Sequence, residues 1–372
     1  MNKVPSNVLS FATEKNLPVY LKFRDYWNHY MSINGGKKLD FATTKEDGTP
    51  ISFSEKEDQM NSALKREILR VAQIQNFDEF ALEQWATHPM VSWATFAVVS
   101  AMIDMILPES IIDSIGAYTE IRNIGWGDSA AFNVKPRDLF VVSKHGRGQR
   151  SVEARKQFNG QVTILPEMRE ISVQVSFYKV LAGLESLADF VAKAVRSIDV
   201  QVTIDAYDAF AAAMAALPTT ATTGLRVSTG YTQADLVRLC QQVTAWNGGA
   251  KAVVLGTQLA LVSVLPDDAN YRYMLESDYV KIGYIRTAFG YDVMAMPQVA
   301  DWTTPWGMKL SDDYLWIVSP SSQKLLKLVF EGNTLSNTSQ PFQNSNLTQD
   351  ATLWKSWGIG VATNATSAAI NL

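Results

Sequence analysis

Helical spacing persists without a break through Leu184, Leu187, Val191, Val195, Ile198, Val202, Ala206, Ala209, Phe210, Ala213 and Leu217. No glycine or proline falls between Leu184 and Leu217. Ile198, Val200, Val202 and Ile204 also alternate with polar residues at strand spacing, so Val200–Thr203 is where a helix would break. Strong helix formers on both flanks decide for one helix of about 34 residues, roughly 50 Å long at 1.5 Å per residue. That is far longer than a small enzyme core requires.

Upstream of this helix the period changes to two. Ile171, Val173, Val175 and Phe177 alternate with Ser172, Gln174 and Ser176, the pattern of a half-buried strand. Val162, Ile164 and Leu165 make a second strand, closed by Pro166. Val134 and Leu139 to Val142 make a third around Pro136. Gly146, Gly148 and Gly160 are turn points between them. The passage reads as a long hairpin arm that runs directly into the long helix. An arm of this kind has no core of its own and needs neighbours.

Elsewhere the pattern predicts a shorter series of elements. Residues 1 to 53 look irregular, punctuated by Gly35, Gly36, Gly48 and Pro50. Ser54 and Glu57 have capping-box spacing before a helix over 55 to 75 that carries Met60, Leu64, Ile68, Val71 and Ile74. A short helix over Asp78–Thr87 ends at His88-Pro89. Met90 to Leu107 is an apolar helix closed by Pro108. Its 18 residues sit at the lower edge for a membrane span, but Ser92, Thr95, Ser100 and Asp104 interrupt it, so it reads as a buried helix.

Residues 218 to 230 form a linker. An α/β region follows: a helix over Gln233–Trp246 behind Thr232, a strand over 251–255, a short helix over 258–265 and a strand over 291–296. Strand patterns return at YLWIVS (314–319) and KLLKLVF (324–330). A polar stretch covers 333 to 350, and a last strand pattern lies in the closing WKSWGIGVATNATSAAINL.

Composition narrows the function. The 372 residues hold two ordinary domains or one elongated body, and 47% hydrophobic content supports a sizeable core. Ten tryptophans and thirteen tyrosines suit cores and protein contacts alike. A net charge of −4 argues against bulk attraction to nucleic acid. The single cysteine, Cys240, allows no internal disulfide and reads as a packed thiol in the helix VRLCQQV. Residues 1 to 20 lack the apolar stretch of a signal peptide.

The arm is the exception to the acidic balance. From Lys135 to Glu170 it carries Lys135, Arg137, Lys144, Arg147, Arg150, Arg155, Lys156 and Arg169 against Asp138, Glu153, Glu167 and Glu170. One reading is a solvated hairpin. The preferred one is a positive arm laid on an acidic neighbour, with Lys144, His145, Arg147, Arg150, Arg155 and Lys156 as inter-subunit contacts.

Catalytic chemistry is hard to place. His29, His88 and His145 are scattered, and none has metal-ligand spacing with a cysteine or carboxylate. There is no Walker loop, GxGxxG or GxSxG. Asp267-Asp268 and Asp312-Asp313 read as solvated turns. The expectation is therefore no catalytic residue, no metal and no cofactor, in a protein that is not an enzyme.

Taken in order, these elements resemble the major capsid proteins of tailed bacteriophages, the Johnson fold. No single motif carries the likeness; order and pattern do, from Gly116 on. The resemblance implies an α+β chain with an N-terminal arm and helices over 1–115 and an extended loop over 116–180. It implies a peripheral domain with its spine helix over 181–222 and 310–350, and an axial domain over 223–309 and 351–372. It also implies pentamers and hexamers of the chain, closing an icosahedral head shell around double-stranded DNA. Scaffold, portal and decoration proteins would be further partners, packaged DNA a weak non-specific one, and a membrane none. The location would be the virion, after assembly in the host cytoplasm. The alternatives are an encapsulin-type cargo shell, another virion part such as a tail or decoration protein, and a small-molecule enzyme built on the α/β region.

Overall fold

The computed structural model describes residues 17–34, 41, 44–45, 48–74, 88–114, 119–134, 160–176, 179, 185–219, 224–228, 230–264, 284–302, 304–319, 324–338 and 348–372. In chain order these form α1 (Leu17–Asn34), α2 (Phe53–Val71), α3 (Pro89–Ser114), β1 (Thr119–Ile124) and β2 (Ala130–Val134). Then come β3 (Gly160–Ile164), β4 (Glu167–Ser176), α4 (Leu187–Ala215), β5 (Arg226–Val227), α5 (Gln233–Trp246), β6 (Val253–Gly256) and α6 (Gln258–Val262). The chain closes with β7 (Thr287–Ala288), β8 (Tyr291–Ala295), β9 (Ala300–Asp301), β10 (Gly307–Met308), β11 (Tyr314–Val318), β12 (Leu326–Thr338), β13 (Thr348–Val361) and β14 (Ala368–Asn371).

The long helix forms as one unbroken element of 29 residues. Ser186 caps it by accepting from the Asp189 amide. At the ambiguous centre the Thr203 hydroxyl donates back to the Asp199 carbonyl at 2.8 Å, a bond that a β-branched threonine makes inside a helix. Val191, Val195, Ile198, Val202 and Phe210 are buried along one face. Each large apolar side chain contributes about 1.5–3 kcal/mol on burial, so tertiary packing decides the helix over its strand-like alternation.

Three expectations for the N-terminal region change. Residues 17–34, expected to be irregular, form α1. Tyr20, Phe23, Trp27 and Tyr30 make a helical i, i+3, i+7, i+10 stripe and are buried. The capping box of α2 uses Ser52 and Glu55, two residues before the expected pair, because Ser52 is the residue with extended backbone. Pro108 does not end α3, which continues to Ser114. Proline's fixed φ fits a helix, and the burial of the preceding turns, Met102 to Leu107, offsets the lost bond to the Asp104 carbonyl and the crowding of the ring against it. The expected helix over 78–87 lies outside the described residues.

By length and composition α3 could cross a membrane, but 78% of its apolar stretch is buried inside the fold. It packs against α2, α4 and β12.

Two sheets organise the rest. The first has the order β1-β12-β13-β4, with β1 parallel to β12 and the other pairs antiparallel. Its middle is buried on both faces, in β12 from Leu326 to Phe330 and in β13 from Lys355 to Gly358, whereas the edge strand β4 is largely exposed. Leu328, Phe330, Leu353 and Trp357 face the four helices in the main core. Val329 faces the opposite side, with Phe132 and Ile164. The polar stretch expected from 333 onward is partly strand: β12 runs past a bulge between Glu331 and Leu335 to Thr338. Gly332 has φ +55 at that bulge, a conformation suited to glycine.

The second sheet has the order β5-β14-β11-β6-β8-β7 and packs on α5 and α6 around Leu239, Val243, Val254 and Ile317. Here the grouping of strands differs from expectation. Tyr314–Val318 joins β6 and β14, not the sheet of β12, because its near-continuous apolar run suits a central strand covered on both faces. The linker supplies β5, parallel to β14. The closing pattern splits: β13 belongs to the first sheet and β14 to the second. Thr232 caps α5, and Gly248 and Gly249 follow its end with positive φ. Phe210 of α4 meets Trp316 of β11 edge-on at 5.3 Å within the main core, while Leu315 and Ile317 of the same strand lie in the second, so β11 serves both.

Cys240 is fully buried in α5, and burial pushes its thiol up to about 12. Asp312 is no simple solvated turn: it accepts from the Thr257 hydroxyl, which also caps α6. Asp267-Asp268 lies outside the described residues.

One contact predicts a pH response. His29 of α1 stacks on Phe41 at 4.3 Å and meets Phe53 edge-on at 5.3 Å. Burial and the neighbouring Lys56 ammonium hold its imidazole below the ordinary range, against the opposing pull of Asp25. Lys56 itself pairs with Asp25 at 2.8 Å. Because the folded pKa is depressed, the unfolded chain takes up the proton first. Stability is therefore complete above the ordinary imidazole pKa of about 6.5 and falls as pH drops through it. It levels off once the folded imidazole also protonates. The thermal midpoint should fall from about pH 7.5 to about pH 5.5, and His29→Gln should flatten that slope.

Candidate assembly arm and its root

β2 and β3 pair antiparallel from Ala130↔Ile164 to Val134↔Gly160. Burial runs out along this ladder. Ala130, Phe132 and Ile164 are buried, whereas Asn133 and the stretch from Gly160 to Thr163 are exposed. The ladder thus leaves the body at its Val134–Gly160 end. Lys144, His145, Arg147, Arg150, Arg155 and Lys156 fall between β2 and β3 in the sequence, outside the described residues.

The root is seated on the first sheet. Gly358 and Gly360 of β13 leave a bare strip under Ile164. A Cβ at Gly358 would sit 2.7 Å from the Leu165 carbonyl oxygen and 2.9 Å from Ile164 Cγ2. At Gly360 a Cβ would meet Ile164 Cδ1 at 3.1 Å. So the expectation of an arm with no seat on its own chain is corrected at its base. The two glycines had read only as part of a strand pattern, and nothing in the sequence marked what they accommodate.

Charged side chains close over the other strand. The Arg122 guanidinium lies 4.2 Å from the Phe132 ring centre and Lys327 Nζ 5.5 Å. Arg122 donates to the Ala131 carbonyl at 3.1 Å. Glu120 joins the two cations, at 2.8 Å from Arg122 and 2.5 Å from Lys327. Burial raises the Glu120 carboxyl, but hydrogen bonds from Lys327 and Arg122 outweigh it and hold the group below the usual range.

The turn between β1 and β2 is pinned as well. Gly127 N–H donates to Glu331 at 2.7 Å and the Ser356 hydroxyl at 2.6 Å. Both hydrogen bonds hold the Glu331 carboxyl below the usual range, the Ser356 one more strongly. The Trp126 indole covers Gly332, and the two border a cleft of about 470 Å³ with Asn123 and Asn333.

On the helix side, Asp205 of α4 accepts from Trp357 Nε1 at 3.0 Å and from Arg169 of β4 at 3.3 Å. The long helix therefore braces both β4 and β13. No group of three or more metal-binding side chains occurs among the described residues.

No family model matches the chain, and no curated protein does. Among solved structures it is similar to the mature capsid of bacteriophage PhiM1, at 12% identity over 69% of this chain and 86% of that one, with a TM-score of 0.45. It is similar to the capsid of a native GTA particle at 12% identity, over 71% and 90% of the two chains, with a TM-score of 0.45. A virus-like particle from Pyrococcus furiosus is similar at 9% identity, over 71% and 96%, with a TM-score of 0.40.

Proposed function

We propose that this chain is a structural shell subunit: a major capsid protein that assembles from pentamers and hexamers of itself into an icosahedral head around double-stranded phage DNA. The observation that carries the reading is the β2–β3 ladder, seated at one end and leaving the body at the other. A two-stranded ribbon in water is marginal by itself. One whose root is fixed on a double-faced sheet is suited to lie on another surface. The basic residues from 135 to 156 make an acidic chain the fitting recipient, and this chain has a net charge of −4. The braced long helix supports the same reading, because a rigid frame lets an arm keep its direction under load.

In the proposed shell, Lys144, His145, Arg147, Arg150, Arg155 and Lys156 contact the adjacent subunit. The purified protein should form rings or closed particles by mass photometry and negative-stain imaging, and a persistent monomer would overturn the reading. Replacing Arg147, Arg150 and Arg155 with Glu should leave thermal stability unchanged and reduce particle yield about tenfold or more, since like charge then faces the recipient. An undiminished yield would reject the electrostatic role of the arm.

A further inference from the structure

We infer that Asn247-Gly248 is a covalent modification site: the fold keeps the Asn247 amide intact, and a subunit whose C-terminal strand comes loose loses that amide by deamidation and cannot dock the strand again. Asn247 closes α5, and its side chain is buried. Its Nδ2 donates to the Val243 carbonyl at 2.7 Å and to the Thr366 carbonyl at 2.8 Å. Its Oδ1 accepts from the Thr366 amide at 2.9 Å. Both N–H donors of the carboxamide are therefore in use.

Thr366 lies between β13 and β14, where the chain crosses from the first sheet to the second. The Asn247 carboxamide pairs with this backbone at two points, as a neighbouring strand would. It fixes the chain just before Ala368 and Ile370 enter the second core. Two of its three hydrogen bonds go when residues 362–367 lift away.

The glycine makes the pair reactive. A backbone nitrogen can attack Cγ of the asparagine before it. The new N–C bond forms, the side-chain nitrogen leaves as ammonia with the proton of the attacking N–H, and water then opens the cyclic imide to aspartate or isoaspartate. Gly248 has no side chain to hinder the approach, and it is exposed to water. In the docked chain the reaction is shut. The carboxamide is turned to Val243 and Thr366, and the Gly248 N–H donates to the Ala245 carbonyl at 3.2 Å.

The product does not fit the place it came from. Aspartate has no N–H to offer, so the Val243 and Thr366 carbonyls would face a carboxylate oxygen away from water. Isoaspartate also lengthens the backbone of the turn. The change is one-way, and β14 stays undocked.

This holds for the single subunit, whether or not it assembles into the shell proposed above. Asn34-Gly35 and Asn159-Gly160 are the other asparagine-glycine pairs of the chain and serve as internal references. In urea at mildly alkaline pH the three pairs should deamidate at similar rates, read by peptide mass and isoaspartate content. In the folded protein Asn247 should convert about tenfold more slowly than in urea, or slower still. Ile370→Ala leaves a cavity under β14 and should raise the folded rate several-fold, with the thermal midpoint still above the incubation temperature. Asn247→Asp should speed amide exchange over residues 366–371 about tenfold or more and leave β12 unchanged. If Asn247 converts as fast folded as in urea, or does not convert in urea, the site is overturned. If Ile370→Ala leaves the folded rate where it was, opening of β14 is not the gate. Unchanged exchange in Asn247→Asp would overturn the one-way loss of docking.

Discussion

Lys355→Ala should lower the stability of the folded chain by about 3–5 kcal/mol, read as a shift in the denaturant midpoint at constant slope. Lys355 of β13 and Asp104 of α3 form an ion pair at 2.6 Å, with side-chain exposures of 5% and 6%. Lys355 also donates to the Gly332 carbonyl at 3.0 Å. Asp104 accepts from the Thr334 amide at 2.8 Å and hydroxyl at 2.6 Å. Removing the ammonium strands a carboxylate away from water, and that penalty dominates the loss. The double change Asp104→Leu with Lys355→Met should not restore full stability, although such swaps are often neutral. Here the Thr334 N–H would lose its acceptor at the bulge, a penalty of about 1–3 kcal/mol. A midpoint that stays put in Lys355→Ala would mean that water reaches Asp104.

Gly358→Val should be the other severe change, for a steric reason. The first atom added would press on the Leu165 carbonyl oxygen at 2.7 Å. That oxygen belongs to backbone, between β3 and Pro166, and it has no rotamer through which to retreat. Overpacking of this kind costs about 1–3 kcal/mol or more, and the branched methyls add to it. The root of the hairpin would lift and expose Ile164 and Val329. Gly332→Ala is the informative contrast. Its Cβ would meet the Trp126 indole, a half-exposed side chain that can swing aside. Its cost should stay near that of left-handed backbone, about 1–2 kcal/mol. Amide exchange in β2 and β3 should accelerate strongly in Gly358→Val and hardly at all in Gly332→Ala. If the two variants behave alike, Gly358 is not the seat of the hairpin.

The sequence was most legible where one local signal acted alone. Thr232 and the Gly248-Gly249 pair bounded α5 correctly, because a cap and a left-handed stop need no tertiary partner. α4 was legible in kind and nearly in length. α1 was not, because its aromatic residues are mediocre helix formers and the nearby glycines suggested irregular chain. Pro108 misled because a rule about backbone donors was applied where packing keeps the helix going. Of the candidate site, β3 was legible from Val162, Ile164 and Leu165, whereas its partner was expected around Pro136 and β2 occupies Ala130–Val134, before that proline. Their seat was not, since Gly358 and Gly360 matter only through what lies above them. Asp104 stood out as a lone charge in an apolar helix. Its partner sits 251 positions away, and no periodicity reports that distance.

The parallel pairing of β1 with β12 also dictates an order of events at the ribosome. Thr119 pairs with Leu326, and Ser176 with Thr348. At about 5–20 residues per second, translation separates the first pair by roughly 10–40 s. A nascent chain therefore carries a hairpin whose base has nothing yet to sit on. The root of the hairpin is seated only when synthesis is almost finished, and in the proposed shell that delay would keep half-made chains from joining one another.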